Sequence, residues 1–154
     1  MKGVRKVLIL RGLQGSGKST FAKQWVNEDP EHRVRFNRDD IRNMLGKYWV
    51  PSREDLINDI YIKFLKASIY RGYNIVIDNM NLNEKCIKEI ENIIQNWNDI
   101  SEAHTYEIEI KDFFDVPLEV CIERDSKREN PIGAHVIRNT YNKYKDTITG
   151  NEKG

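Results

Sequence analysis

The feature that most constrains the fold is a short apolar, β-branched run, Val7-Leu8-Ile9-Leu10, that passes directly into Gly12-Leu13-Gln14-Gly15-Ser16-Gly17-Lys18-Ser19. The order strand, G-x-x-x-x-G-K-S, helix is that of a phosphate-binding loop. Its glycines let several backbone N–H groups converge on an anion, and the helix that follows points the positive end of its dipole at the same place. Both flanks suit the motif. Residues 6–10 read as a buried strand, and from Thr20 onward Phe21, Ala22, Trp25 and Val26 share one helical face. Gly12, Gln14, Gly15, Ser16, Gly17, Lys18, Ser19 and Thr20 are therefore the candidate contacts to a nucleoside triphosphate. Lys18 brings a mobile cation to the β and γ phosphates, and the Ser19 hydroxyl is placed to ligate Mg²⁺.

The chain has 154 residues, which predicts one domain over 1–148 followed by a polar tail over 149–154. No stretch approaches the roughly 20 apolar residues that span a bilayer. Met1-Lys2-Gly3-Val4-Arg5 lacks a signal-peptide pattern, so no membrane partner is expected and the expected compartment is the cytoplasm. Cys86 and Cys121 have no C-x-x-C partner and read as buried, reduced thiols. His32, His104 and His135 are scattered, without metal-ligand spacing.

A net charge of +1 argues against a protein that coats nucleic acid through a broadly basic surface. The distribution says more. Residues 1–50 hold 11 Lys/Arg against 5 Asp/Glu, residues 51–123 hold 7 against 15, and residues 124–154 hold 7 against 4. The two basic ends contain the glycine-rich loop and the run Arg124-Asp125-Ser126-Lys127-Arg128, so charge alone leaves a basic cleft and a merely solvated pattern equally open.

Apolar runs alternate with helical patterns, which predicts an α/β fold with three layers, a mostly parallel sheet between helices. Val34–Phe36 is a short strand. Asn37 caps the helix after it, with Asp40 three residues on. Beyond the Tyr48-Trp49-Val50-Pro51 turn a long helix carries Leu56, Ile57, Ile60, Tyr61, Phe64, Leu65 and Ile69 as a buried stripe and stops at Gly72. Residues 74–78 form a buried strand ending in the polar loop Asn79–Asn83, a place where parallel sheets bind ligands. A helix over 84–97, an alternating strand over 105–110, a helix with Pro117 in its first position and a last helix over 134–145 complete the pattern.

A triphosphate site does not by itself define a reaction. Phosphoryl transfer also needs a carboxylate for the acceptor hydroxyl, a group to hold the acceptor, and cations around the moving phosphoryl. In a helix starting at Asn37, Asp39 and Arg42 share a face, so one can accept a proton while the other grips a phosphate. Asp40 suits a capping or dipole role. Asp78, at a strand end, is placed to bind Mg²⁺ through water or to orient Arg42. Arg124 and Arg128, four apart on one helical face beside Lys127, supply the cations a closing lid provides.

Together these residues resemble the kinase domain of phage-type 5′-hydroxyl polynucleotide kinases over nearly the whole chain. The anchors are GLQGSGKST at 12–20, FNRDDIR at 36–42, DNMNLN at 78–83, FDVP at 114–117 and RDSKR at 124–128. The resemblance implies a P-loop kinase fold with an Arg-bearing helical lid, ATP and Mg²⁺, and a nucleic-acid 5′ end as acceptor. If the chain is phage-encoded, it places the enzyme in the host cytoplasm. It also implies Lys18 and Ser19 on the ATP phosphates and magnesium, Asp39 as general base, Arg42 on the acceptor's 3′ phosphate, and Arg128, assisted by Arg124, on ATP. Some relatives place an acid two residues before the asparagine of the NLN segment; here that position is Asn79, and the acid, Asp78, comes one earlier. Either residue can therefore serve on the acceptor side. The D-x-D-G-T motif of the phage enzyme's phosphatase does not occur. Other readings stay open: a kinase for a nucleoside, a hydroxymethylated base, a sugar or a nucleotide sugar, and a non-transferring ATP-binding switch. Homo-oligomerisation through the alternating strand and last helix is also open.

Overall fold

The apolar run at the N-terminus becomes the centre of a sheet. In the computed structural model, which describes residues 3–151, β1 (Gly3–Arg11), β2 (Arg33–Phe36), β3 (Asn74–Ile77) and β4 (His104–Asp112) pair in the order β2-β3-β1-β4. Every pairing is parallel, with Ile9 opposite both Ile77 and Ile110. A strand buried on both faces reads as a continuous apolar run, and Val7 to Leu10 are all buried.

Alternation along β1 divides the core in two. Val7 and Ile9, with Phe36, Ile75 and Ile77, face α3 (Glu54–Arg71) and α4 (Glu84–Ile100), which contribute Tyr61, Leu65, Ile69, Ile87, Ile90 and Ile94. Leu8, Leu10 and Val76 face α1 (Lys18–Glu28) through Ala22, with Phe21, Trp25 and Val26 against them. These are the expected three layers. A third cluster lies beyond the carboxyl ends of the strands, where Leu13, Leu82, Cys121 and Ile137 join α5 (Leu118–Ser126) to α6 (Ala134–Lys143). It seats the C-terminal helices over the glycine-rich loop.

Asn37 caps α2 (Arg38–Met44) as expected, its side chain accepting from the Asp40 N–H at 2.9 Å. Gly72, at φ +80, ends α3 in the left-handed conformation that a Cβ disfavours. Several expectations change. Leu56 is 46% exposed, because the face of α3 buried on the sheet follows Ile57, Tyr61, Leu65, Ser68 and Ile69. Cys86 is exposed and only Cys121 is buried, since Cys86 lies off the Ile87, Ile90, Ile94 stripe of α4. Pro117 is the N-cap of α5 and not its first residue, and a 3-10 turn over Pro51–Arg53 precedes α3. The last helix breaks at Tyr144, and α7 (Lys145–Thr149) follows. Thr149 thus belongs to a helix, and residues 152–154 of the expected tail lie outside the described residues. Among the described residues no helix is long and apolar enough to cross a membrane.

Candidate active site

Gly15 and Gly17 take φ of +79° and +102°, which turns the loop back on itself before Lys18 begins α1. At Gly15 the requirement is also spatial: a Cβ there would lie 2.3 Å from the Cys121 carbonyl oxygen of α5. Gly15→Ala therefore combines positive-φ strain with a backbone clash and is expected to cost about 2 kcal/mol or more. Thermal unfolding should show a Tm lowered by roughly 5 °C or more for a domain of this size. An unchanged Tm would mean that α5 is not seated on the loop.

Lys18 is buried, its ammonium donating to the Leu13 carbonyl at 2.7 Å and to Ser16 Oγ at 3.4 Å. Burial pushes its pKa down to about 8, with Arg128 lowering it further and Asp78 and Asp39 opposing. Near pH 8 the nucleotide-free protein thus carries a partly deprotonated Lys18, and a triphosphate beside it favours the charged form. ATP binding should take up protons around pH 8, and the uptake should fade below pH 7, where Lys18 is already charged. Calorimetry in buffers of different ionisation enthalpy measures this, with Lys18→Met as the variant that loses it; equal uptake in both would refute the assignment. For the free protein the sign is the same. The unfolded chain binds the Lys18 proton more tightly, so this group's contribution to stability rises with pH from about 8 toward its ordinary 10.5.

The Ser19 hydroxyl donates to Asp78 Oδ2 at 2.8 Å. Asp78 is 1% exposed, and its Oδ1 is buried without a hydrogen-bond partner. An orphaned carboxylate oxygen beside a P-loop serine fits a divalent cation that the triphosphate also holds. Among the described residues no cluster of three His, Cys, Asp or Glu forms a metal site on its own, so protein oxygens would complete a shell begun by phosphates. Asp78 does not touch Arg42 as the sequence suggested. Its cation is Arg35, whose Nε and Nη2 both lie 2.8 Å from Oδ2 while Nη1 pairs with Asp40 at 2.5 Å. The sequence marks Arg35 only as a strand residue; its signal is the alternation Arg33-Val34-Arg35-Phe36, which puts both arginines on the α1 face of an edge strand.

Asp39 receives Arg42 Nη1 at 2.6 Å and the Tyr48 hydroxyl at 2.7 Å, both on Oδ1. Burial and the hydrogen bond to Asp39 push the Tyr48 phenol up to about 12, so it remains a donor. Arg42 also grips Glu54 through Nε at 3.0 Å and Nη2 at 2.6 Å, a bidentate pair that raises its own pKa and lowers that of Glu54. Glu54, which the sequence does not single out, is an acid in the first turn of α3. Asn79 accepts the Arg38 N–H at 2.9 Å and, with Arg38, Asn58, Tyr61 and Asn81, lines a cavity of about 300 Å³. Asn81, at φ +49, donates its amide to the Leu10 carbonyl at 2.7 Å and the Ile77 carbonyl at 3.3 Å, tying together the carboxyl ends of β1 and β3.

The remaining loop residues differ in access. Ser16 is buried, Gln14 has a buried side-chain oxygen without a partner, and Thr20 is exposed on α1. The Gly12 N–H donates to the Met80 carbonyl at 3.1 Å. Arg124 Nη1 reaches the Gly15 carbonyl at 3.4 Å. Arg128 lies past the end of α5 and not on its helical face, because the buried Asp125 carboxylate accepts the N–H groups of Ile132 and Gly133 at 3.0 and 2.9 Å and draws the chain out of the helix.

A glycine-rich loop at the end of a central parallel strand, with its serine on a buried strand-end carboxylate, places the chain in the P-loop kinase fold class. It belongs to the AAA domain family, whose sequence model matches residues 7–150. A protein of Autographa californica nuclear polyhedrosis virus, named as a bifunctional polynucleotide kinase/RNA ligase, is 30% identical over 158 residues, covering 91% of this chain and 21% of that protein. An L-seryl-tRNA(Sec) kinase of Methanococcus maripaludis is 26% identical over 141 residues, covering 90% of this chain and 52% of that one. The chain thus spans about a fifth of the first relative and about half of the second. A chain in the structure of the Pnkp1/Rnl/Hen1 RNA repair complex superposes with a TM-score of 0.73 at 24% identity, over 99% of this chain and 48% of that one, a likeness of fold. In a second Pnkp1/Rnl/Hen1 structure the identity is 28% and the TM-score 0.63, over 80% of this chain and 40% of that one.

Proposed function

We propose that this domain, residues 1–148, transfers the γ-phosphate of ATP to the 5′-hydroxyl end of a polynucleotide. The observation that carries the reading is that the helix bearing Asp39 and Arg42 is fastened to the strand end that meets the phosphate loop: Asn37 donates to the Asp78 carbonyl at 2.6 Å and the Arg38 N–H to Asn79 at 2.9 Å, while the Asp78 carboxylate accepts from Ser19 at 2.8 Å. The relative named as a bifunctional polynucleotide kinase/RNA ligase favours a nucleic-acid acceptor.

In this scheme Asp39 takes the proton of the attacking hydroxyl. Its two hydrogen bonds from described residues both end on Oδ1, so Oδ2 is the oxygen that would take the proton. The hydroxyl oxygen forms the new P–O bond, the bond from the γ phosphorus to the β–γ bridging oxygen breaks, and ADP leaves. Lys18 and the loop N–H groups hold the β and γ phosphates, and Arg124 and Arg128 face the charge on the transferring group. Magnesium, bound by the triphosphate with Ser19 and Asp78, would supply further charge neutralisation. Arg42, locked by Glu54 and Asp39, presents its remaining N–H directions to an acceptor phosphate, and Asn79 is the neighbouring polar group.

Incubation with γ-labelled ATP and a panel of acceptors tests the proposal: a 5′-hydroxyl oligonucleotide, a nucleoside, a sugar and a nucleotide sugar. Label should pass to the oligonucleotide, and Arg42→Ala should raise the oligonucleotide KM about tenfold or more with a smaller change in the KM for ATP. Preferential labelling of another acceptor would assign a different kinase, and hydrolysis that no acceptor stimulates would assign a switch.

A further inference from the structure

The loop between α2 and the 3-10 turn carries aromatic surface that the fold itself does not use. Trp49 is 54% exposed, with Tyr48 and Met44 exposed on the same stretch. Single exposed apolar side chains are ordinary, but several grouped on one stretch mark an interaction surface. The loop is nonetheless held in place. Arg53 donates through Nη1 to the Leu45 carbonyl at 2.5 Å and through Nη2 to the Lys47 carbonyl, and Gly46 makes the turn at φ +112. The loop is also fastened to the candidate site, because the Tyr48 hydroxyl bonds Asp39. The Tyr48 and Trp49 rings each lie 5.9 Å from the Arg42 guanidinium.

We propose that Trp49, on this pinned loop, is a stacking subsite for a nucleobase of the acceptor strand near its 5′ end, with Arg42 binding the adjoining phosphate. The inference rests on the polynucleotide-kinase reading and names how that site would hold a single strand. Three features select a nucleobase as the occupant. The aromatic face adjoins an arginine suited to phosphate, it joins the candidate base through Tyr48, and it lies in the basic first third of the chain, where residues 1–50 hold 11 Lys/Arg against 5 Asp/Glu. An aromatic plane beside a cation is the combination that binds single strands without reading their sequence, each base and the ring stacking face to face. A simple sugar acceptor would have no use for such a platform, and a nucleotide sugar, which carries a single base, would show no dependence on strand length. The subsite accordingly makes affinity depend on strand length and on the presence of a base, while the transfer itself stays with Asp39.

The test uses the full chain and 5′-hydroxyl octanucleotides in which one of the first three nucleotides is abasic, alongside the intact octanucleotide. For the wild-type protein one abasic position should raise the acceptor KM about tenfold. Trp49→Ala should raise the KM for the intact strand by a similar factor and abolish the penalty of the abasic site. Trp49→Phe should keep most of both effects, and the KM for ATP should stay constant throughout. A second readout does not depend on turnover: octanucleotide binding should quench tryptophan fluorescence in the wild-type protein and not in Trp49→Phe. If wild type labels oligonucleotides but Trp49→Ala matches it on every strand, the subsite is refuted while the kinase reading stands. If Trp49→Ala alters only the oligomeric state, the patch is a protein interface and the subsite is likewise refuted. If wild type labels no oligonucleotide, the kinase reading itself fails.

Discussion

Replacing Asp39 with asparagine is expected to lower kcat for phosphoryl transfer by about 10²- to 10⁴-fold, with ATP binding close to wild type. Asparagine keeps an oxygen for the hydrogen bonds from Arg42 at 2.6 Å and Tyr48 at 2.7 Å, so the surrounding cluster should survive and only the proton acceptor is lost. Alanine removes both and should add a rise in acceptor KM, because Arg42 then has Glu54 alone to orient it. Single-turnover kinetics with saturating ATP separate the two effects. An asparagine variant with wild-type single-turnover rate would leave Asp39 a structural residue.

Arg128→Ala should be the second severe loss, about 10³-fold in kcat. This side chain is half exposed, and its ion-pair partner among the described residues is Asp125 at 3.7 Å. Its removal should therefore leave the fold intact, as an unchanged Tm would verify. Arg124 contacts the Gly15 carbonyl at 3.4 Å, and its alanine variant should lose less in kcat and more in ATP affinity. The reverse ranking, measured by steady-state kinetics against ATP, would exchange the roles of the two arginines. Asp125 itself is a poor probe, since its carboxylate satisfies two backbone N–H groups and its loss would unfasten the chain on the way to α6.

What could be read from the sequence was local. The strand before the loop, the helix after it, the Asn37 cap and the helix stop at Gly72 each depend on neighbours a few residues away, and the structure bears out each of them. The links that assemble the site are long-range. Ser19 meets Asp78 across 59 residues and Arg35 meets Asp78 across 43, and no periodicity announces such a pair. Glu54 was hidden by a good local explanation, the first turn of α3, while its side chain was committed to Arg42. Leu56 and Cys86 were misplaced for a related reason: apolar residues flank the buried stripe on both sides, and only the packing of α3 and α4 on the sheet decides which flank is covered.

The contact between Gly15 and the Cys121 carbonyl, too close for any side chain, also says where this enzyme can flex. Separating α5 from the phosphate loop would uncover Leu13 and Cys121, which share one apolar cluster, at a cost that grows with the apolar area exposed. Residues 126–131 carry no such cover and lie exposed. Movement therefore costs least in the stretch that holds Arg128, the proposed lid cation, while the floor beneath it stays packed.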